Sequence, residues 1–169
     1  QWFDIIYPPD SQKSAALLFE NADRIYYEIA EFFGTEPKVR IPVVLTPNTE
    51  MYNAYYSSAY YNRIVLYDTS ISSEVDVFSN PLLSTFRHEL THAYTFNLKS
   101  DYLLAFDRIF GDAANGSPVS ITSGWAEGAT MTSEASLGEG RLNNEYSRHM
   151  VKQAKLEGKF PSYADVQGA

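Results

Sequence analysis

The sequence predicts an α+β chain, with a mixed helix-and-strand lobe over residues 1–75 and a helical lobe over 76–169. Three observations predict it. Short β-branched runs occur in the first part and are punctuated by prolines. A long stretch with apolar residues every three or four positions lies between them. After about residue 76 the apolar spacing is helical throughout. A length of 169 residues with 44% hydrophobic composition suits a single domain with its own core.

The elements follow in chain order. Residues 3–7 (FDIIY) read as a short strand stopped by Pro8 and Pro9. Ser11 reads as a helix N-cap. The helix over 14–33 is carried by Ala15, Leu18, Ala22, Ile25, Ile29 and Phe33, and Gly34 is its stop. Residues 39–45 (VRIPVVL) form a strand, with Pro42 pointing to an edge or a bulge. A segment holding Tyr52, Tyr55, Tyr56, Tyr60 and Tyr61 follows, then a strand over 63–67 (RIVLY). The lobes divide near residues 73–79. Asn80 and Pro81 make a good helix start, as N-cap and first helical residue, and this helix runs to about Asn97. Further helices are expected over 101–110, 121–135 and 143–157, with a loop over 112–120. Gly124 and Gly128 weaken the third of these.

Composition excludes several classes. A net charge of −8 and a pI of about 4.8 argue against a nucleic-acid partner, since neutralising phosphates needs clustered Lys and Arg. No apolar run approaches the roughly 20 residues needed to span a bilayer, so no membrane insertion is expected. The chain has no cysteine, which removes disulfides, thiolate catalysis and Cys-type metal sites.

The chemistry concentrates in residues 84–96, STFRHELTHAYTF. Two of the three histidines, His88 and His92, lie four apart, on one face of a helix. Two imidazoles so placed can reach one zinc ion, and Glu89 beside them can accept a proton from a water on that ion. H-E-x-x-H on a helix is a metalloprotease signature. The bland alternative is chance. Against it, the helix is otherwise mostly apolar, and burying two histidines and a glutamate without a partner costs several kcal/mol. Arg87 reads as a salt-bridging residue.

A catalytic zinc wants three protein ligands and an open position. His149 is one candidate for the third. The H-E-x-x-H-x-x-G-x-x-H subtype is excluded, because Leu98 occupies its third ligand position. The better candidate is Glu127, within residues 124–130 (GWAEGAT), where small neighbours let two helices approach closely. Glu134, seven residues on, sits two turns along the same face and could hydrogen-bond a ligand histidine. A solvated surface carboxylate is the ordinary reading of Glu127 alone.

HELTH followed by GWAEGAT resembles the gluzincin branch of the peptidase MA-like zinc metalloproteases, which includes thermolysin-like and M1 aminopeptidase-like enzymes. The resemblance covers roughly residues 39–135. It implies a zincin-like fold with His88, His92 and Glu127 as zinc ligands, Glu89 as general base and Glu134 as a supporting carboxylate. It also implies an edge strand lining the cleft, assigned to residues 63–67, which would pair with an extended peptide or protein substrate. The implied reaction is peptide-bond hydrolysis. Glu89 takes a proton from the attacking water and returns it to the leaving amine.

Two departures stand out. The 34 residues between His92 and Glu127 exceed the family's usual gap, and residues 99–120 supply the excess. The family's oxyanion-stabilising Tyr or His normally lies far beyond the third ligand. Here only Tyr146 and His149 are available, 19 and 22 residues after Glu127. An exposed helix is the simpler reading of that pair. The expectation is that the protein continues past residue 169. Because the chain begins at Gln1 it is read as processed or trimmed, and the family's frequent export implies a secreted or periplasmic location. The alternative is a zinc-bound peptide-binding module with little turnover. A closed structural zinc site usually needs cysteines, which are missing. Neither natural substrate nor oligomeric state follows from the sequence.

Overall fold

A computed structural model describes residues 1–37, 39–47, 50, 52–58, 61–69, 80–98, 109, 123–136, 138, 140–162 and 164–165. The class is α+β. Strands β1 (Phe3–Ile6), β2 (Ile41–Thr46), β3 (Ala54–Ser57) and β4 (Arg63–Tyr67) form one sheet in the order β1-β2-β4-β3. β1, β2 and β4 run parallel, and β3 is antiparallel to β4. Helix α1 (Gln12–Phe33) connects the parallel pair β1 and β2, as such a crossover requires. The other described α-helices are α2 (Pro81–Asn97), α3 (Ser123–Ala135) and α4 (Glu145–Leu156). None of them is long and apolar enough to cross a membrane.

The core follows from the two periodicities. Ile41, Val43 and Leu45 alternate inward along β2. They meet Leu18, Ala22, Ile25 and Ile29 of α1 and Phe86, Leu90, Ala93 and Tyr94 of α2 in one buried cluster. Each large side chain so buried contributes about 1.5–3 kcal/mol. Arg87, buried at the same level of α2, ion-pairs with Glu28 of α1, as its salt-bridging reading required.

Local chemistry sets the boundaries. Gly34 adopts a left-handed conformation (φ 66°) and closes α1. Ser11 precedes α1, but its side chain makes no capping bond, because a turn of 3-10 helix over Pro9–Ser11 leads in instead. Asn80 accepts a hydrogen bond from the Leu83 amide through its side chain, with Pro81 in the first turn. Replacing Asn80 with Ala is expected to cost about 0.5–2 kcal/mol. Denaturant titration of the variant beside wild type would measure it.

Two sequence expectations need correction. Residues 63–67 are not the edge strand: β4 lies between β2 and β3. The edge strand on that side of the sheet is β3, inside the tyrosine-rich segment. Pro42 lies in an interior strand, not at an edge or in a bulge. It pairs with Asp4 of β1, and pairing to β4 begins only at Val43. Since the Ile41 amide points at β1, the missing proton of Pro42 falls where no neighbour has yet arrived. The expected helix over 101–110 lies outside the described residues apart from Ile109, which is exposed. The expected loop over 112–120 and the boundary over 73–79 lie outside them entirely.

Candidate metal centre

Helix α2 lies between the edge strand and α3. Its outward turn carries His88 and His92, with ring centroids 4.8 Å apart and planes at 82°. α3 packs on α2 through small residues: Ala126, Thr130 and Ser133 are buried, and the Thr91 hydroxyl donates to the Ser133 hydroxyl across the interface at 3.4 Å. Gly128 is exposed with open space around it, so the close approach depends on the other small residues.

That approach brings Glu127 to the histidines. One carboxylate oxygen lies 3.3 Å from His88 Nε2 and the other 3.3 Å from His92 Nε2. One ligand atom from each of the three residues lies within 4.8 Å of the other two. A tetrahedral ion with bonds of about 2.0–2.1 Å spaces its ligand atoms roughly 3.3–3.4 Å apart. Two imidazoles and a carboxylate are also a zinc donor set. His88, His92 and Glu127 are thus the residues that could hold a metal ion here.

Glu134 is only 3% exposed and accepts from His88 Nδ1 at 2.7 Å. This orients the ring, with Nε2 facing Glu127. Glu89 is 7% exposed and lines a cleft of about 220 Å³ with His88, Glu134, Tyr52, Asn53, Ala54, Ser84 and Thr85. The cleft runs from the start of β3 to the first turns of α2. The Tyr52 hydroxyl closes its floor by donating to the Pro81 carbonyl at 2.7 Å and by bonding to Thr85.

Sequence reasoning missed the clamp at the far end of α2. Buried Asn97 donates to the Tyr56 hydroxyl at 3.2 Å and exchanges hydrogen bonds with Asn62, so β3 and the turn after it are tied to the last turn of the helix. Tyr56 also stacks on Phe96. Of the five tyrosines in this segment, Tyr52 and Tyr56 are partly buried, Tyr55 and Tyr61 are exposed but meet Tyr67 and Arg63 through their rings, and Tyr60 lies outside the described residues.

The structure brings His88, His92, Glu89, Glu127 and Glu134 together. It does not bring Tyr146 or His149 to them. Tyr146 is 72% exposed, no residue of α4 is buried, and His149 lines a separate depression with Glu145, Arg148 and Lys152. α4 packs on the short turn Arg141–Asn143 instead.

The charges of the site work on its imidazoles. Burial pushes His88 down, but the hydrogen bond and charge of Glu134, with the charges of Glu89 and Glu127, outweigh it and hold His88 above its ordinary value. Burial and the neighbouring His88 push His92 down, against a smaller opposing pull from Glu127 and Glu134. A ligand imidazole must be neutral. In the metal-free protein a proton therefore competes at His88 up to a pH above its ordinary value of about 6.5. Zinc affinity is expected to fall as the pH drops from 8 to 6, with proton release on uptake. Calorimetric titration in buffers of differing ionisation enthalpy measures both. A flat profile would argue against these ligands.

No family model and no solved structure matches the chain. An uncharacterised protein of Treponema pallidum (strain Nichols) is 30% identical over 170 residues, which is 98% of this chain. The chain spans 15% of the length of that curated relative.

Proposed function

We propose that the chain hydrolyses peptide bonds, with zinc held by His88, His92 and Glu127 and with Glu89 as the general base. The observation that carries this reading is the placement of both Nε2 atoms 3.3 Å from the two oxygens of one carboxylate, next to a buried glutamate in a cleft. When bound, zinc supplies a Lewis acid for the carbonyl oxygen and a water acidic enough to lose a proton near neutral pH. The chain's own residues do the rest. Glu134 holds the His88 ring by its Nδ1 proton. Glu89 accepts the proton of the attacking water and delivers it to the leaving amine. β3 offers an extended peptide a strand edge beside the cleft, giving main-chain affinity with little side-chain selection. A secreted or periplasmic location belongs to the same proposal.

The test is hydrolysis of denatured casein by the zinc-loaded chain, with and without chelator. Cleavage that chelator stops and zinc restores supports the proposal. A chain that holds zinc and binds unfolded protein without cleaving it would favour the peptide-binding alternative.

A further inference from the structure

We propose that Gly140 is a positioning residue for this site, because only a bare α-carbon lets the chain after α3 fold back against Glu134 and keep its carboxylate on His88. This inference rests on the metal-site reading above. Gly140 is buried and has φ +89°. A Cβ added there would stand 2.7 Å from Glu134 Cβ, 3.2 Å from its Oε2 and 3.4 Å from its carbonyl carbon. The first contact is with the root of the side chain, not its flexible end, so relief requires Glu134 or the turn itself to move. The turn has little freedom to do so. The Asn143 amide donates to the Gly140 carbonyl at 3.1 Å, and the Asn143 side chain donates to the Ala135 carbonyl at the end of α3 at 2.9 Å. Glu134 in turn meets His88 Nδ1 at 2.7 Å. The chain of contact therefore runs from Gly140 through Glu134 to the imidazole whose other nitrogen faces Glu127.

The same turn supplies its own control. Gly138 also has positive φ (+82°), yet a Cβ there meets nothing within 4 Å. Gly138→Ala and Gly140→Ala thus share the backbone cost of an alanine at positive φ and differ in the contact with Glu134. The experiment is zinc affinity by competition with a chromophoric chelator, at a temperature where circular dichroism shows the variants folded. Gly140→Ala is expected to bind zinc about 10–100-fold more weakly than wild type, the usual loss when a ligand histidine's hydrogen-bond partner is disturbed. Gly138→Ala is expected to match wild type. In a Glu134→Ala background the carboxylate is gone while the Cβ remains, so adding Gly140→Ala should cost no further affinity.

Equal affinities for Gly140→Ala and Gly138→Ala would overturn the proposal. So would a Gly140→Ala penalty that persists in the Glu134→Ala background, since the effect would then not pass through the carboxylate. A Gly140→Ala chain that stays unfolded with zinc present, while Gly138→Ala folds, would assign Gly140 a purely structural role and also overturn it. A wild-type chain that binds no zinc would instead remove the site reading on which the inference rests.

Discussion

Glu89→Gln is expected to lower peptide hydrolysis by about 10²–10⁴-fold, the range in which a positioned general base contributes, while the chain keeps its zinc. The amide preserves the size and most of the packing of a side chain that is almost wholly buried beside the cleft. It removes the one property the mechanism uses, a carboxylate able to take a proton. Glu89 is not among the three residues whose donor atoms converge, so metal binding should stay near wild type. Parallel measurement of turnover and bound zinc separates the two roles. Full turnover in this variant would rule out Glu89 as the base.

Glu127→Ala is expected to remove the site's hold on the metal. Two imidazoles would remain, without the carboxylate that faces both Nε2 atoms. A ligand at 100 times its dissociation constant stabilises the folded state by about 2.7 kcal/mol. For a chain of 169 residues that is a rise in melting temperature of roughly 5–10 °C. Wild type should show it on addition of zinc, and Glu127→Ala should not. Glu127 is half-exposed on α3, so its loss should leave the metal-free melting temperature nearly unchanged. Equal zinc shifts in the two proteins would remove Glu127 from the ligand set.

Much of this arrangement was legible in the sequence, for physical reasons that differ by element. α2 was readable because Asn80 and Pro81 announce its start and because the apolar spacing continues to Asn97. The pairing of Glu127 and Glu134 was readable because seven residues are close to two helical turns. The edge strand was misplaced. Ala54–Ser57 is only four residues long and lacks a β-branched run, so its two tyrosines were a weak strand signal. The signal for an interior β4 was present: RIVLY buries Ile64, Val65 and Leu66 in succession, the mark of a strand covered on both faces, not of an edge. Pro42 misled because its position along the strand, not its presence, decides what it costs. Gly140 could not be found by pattern at all. Its role depends on a turn that returns to a side chain six positions earlier, and that distance exists only once the chain is folded. The same limit applies to the Asn62–Asn97 clamp, which joins residues 35 apart.

The most direct test of the central claim is the zinc content of the purified wild-type chain after exhaustive dialysis, measured by elemental analysis. The account predicts one zinc per chain, bound through His88, His92 and Glu127. A chain that retains no zinc after being supplied with it would contradict the account, and the convergence of two imidazoles on one carboxylate would then be a set of hydrogen-bonding partners without a metal.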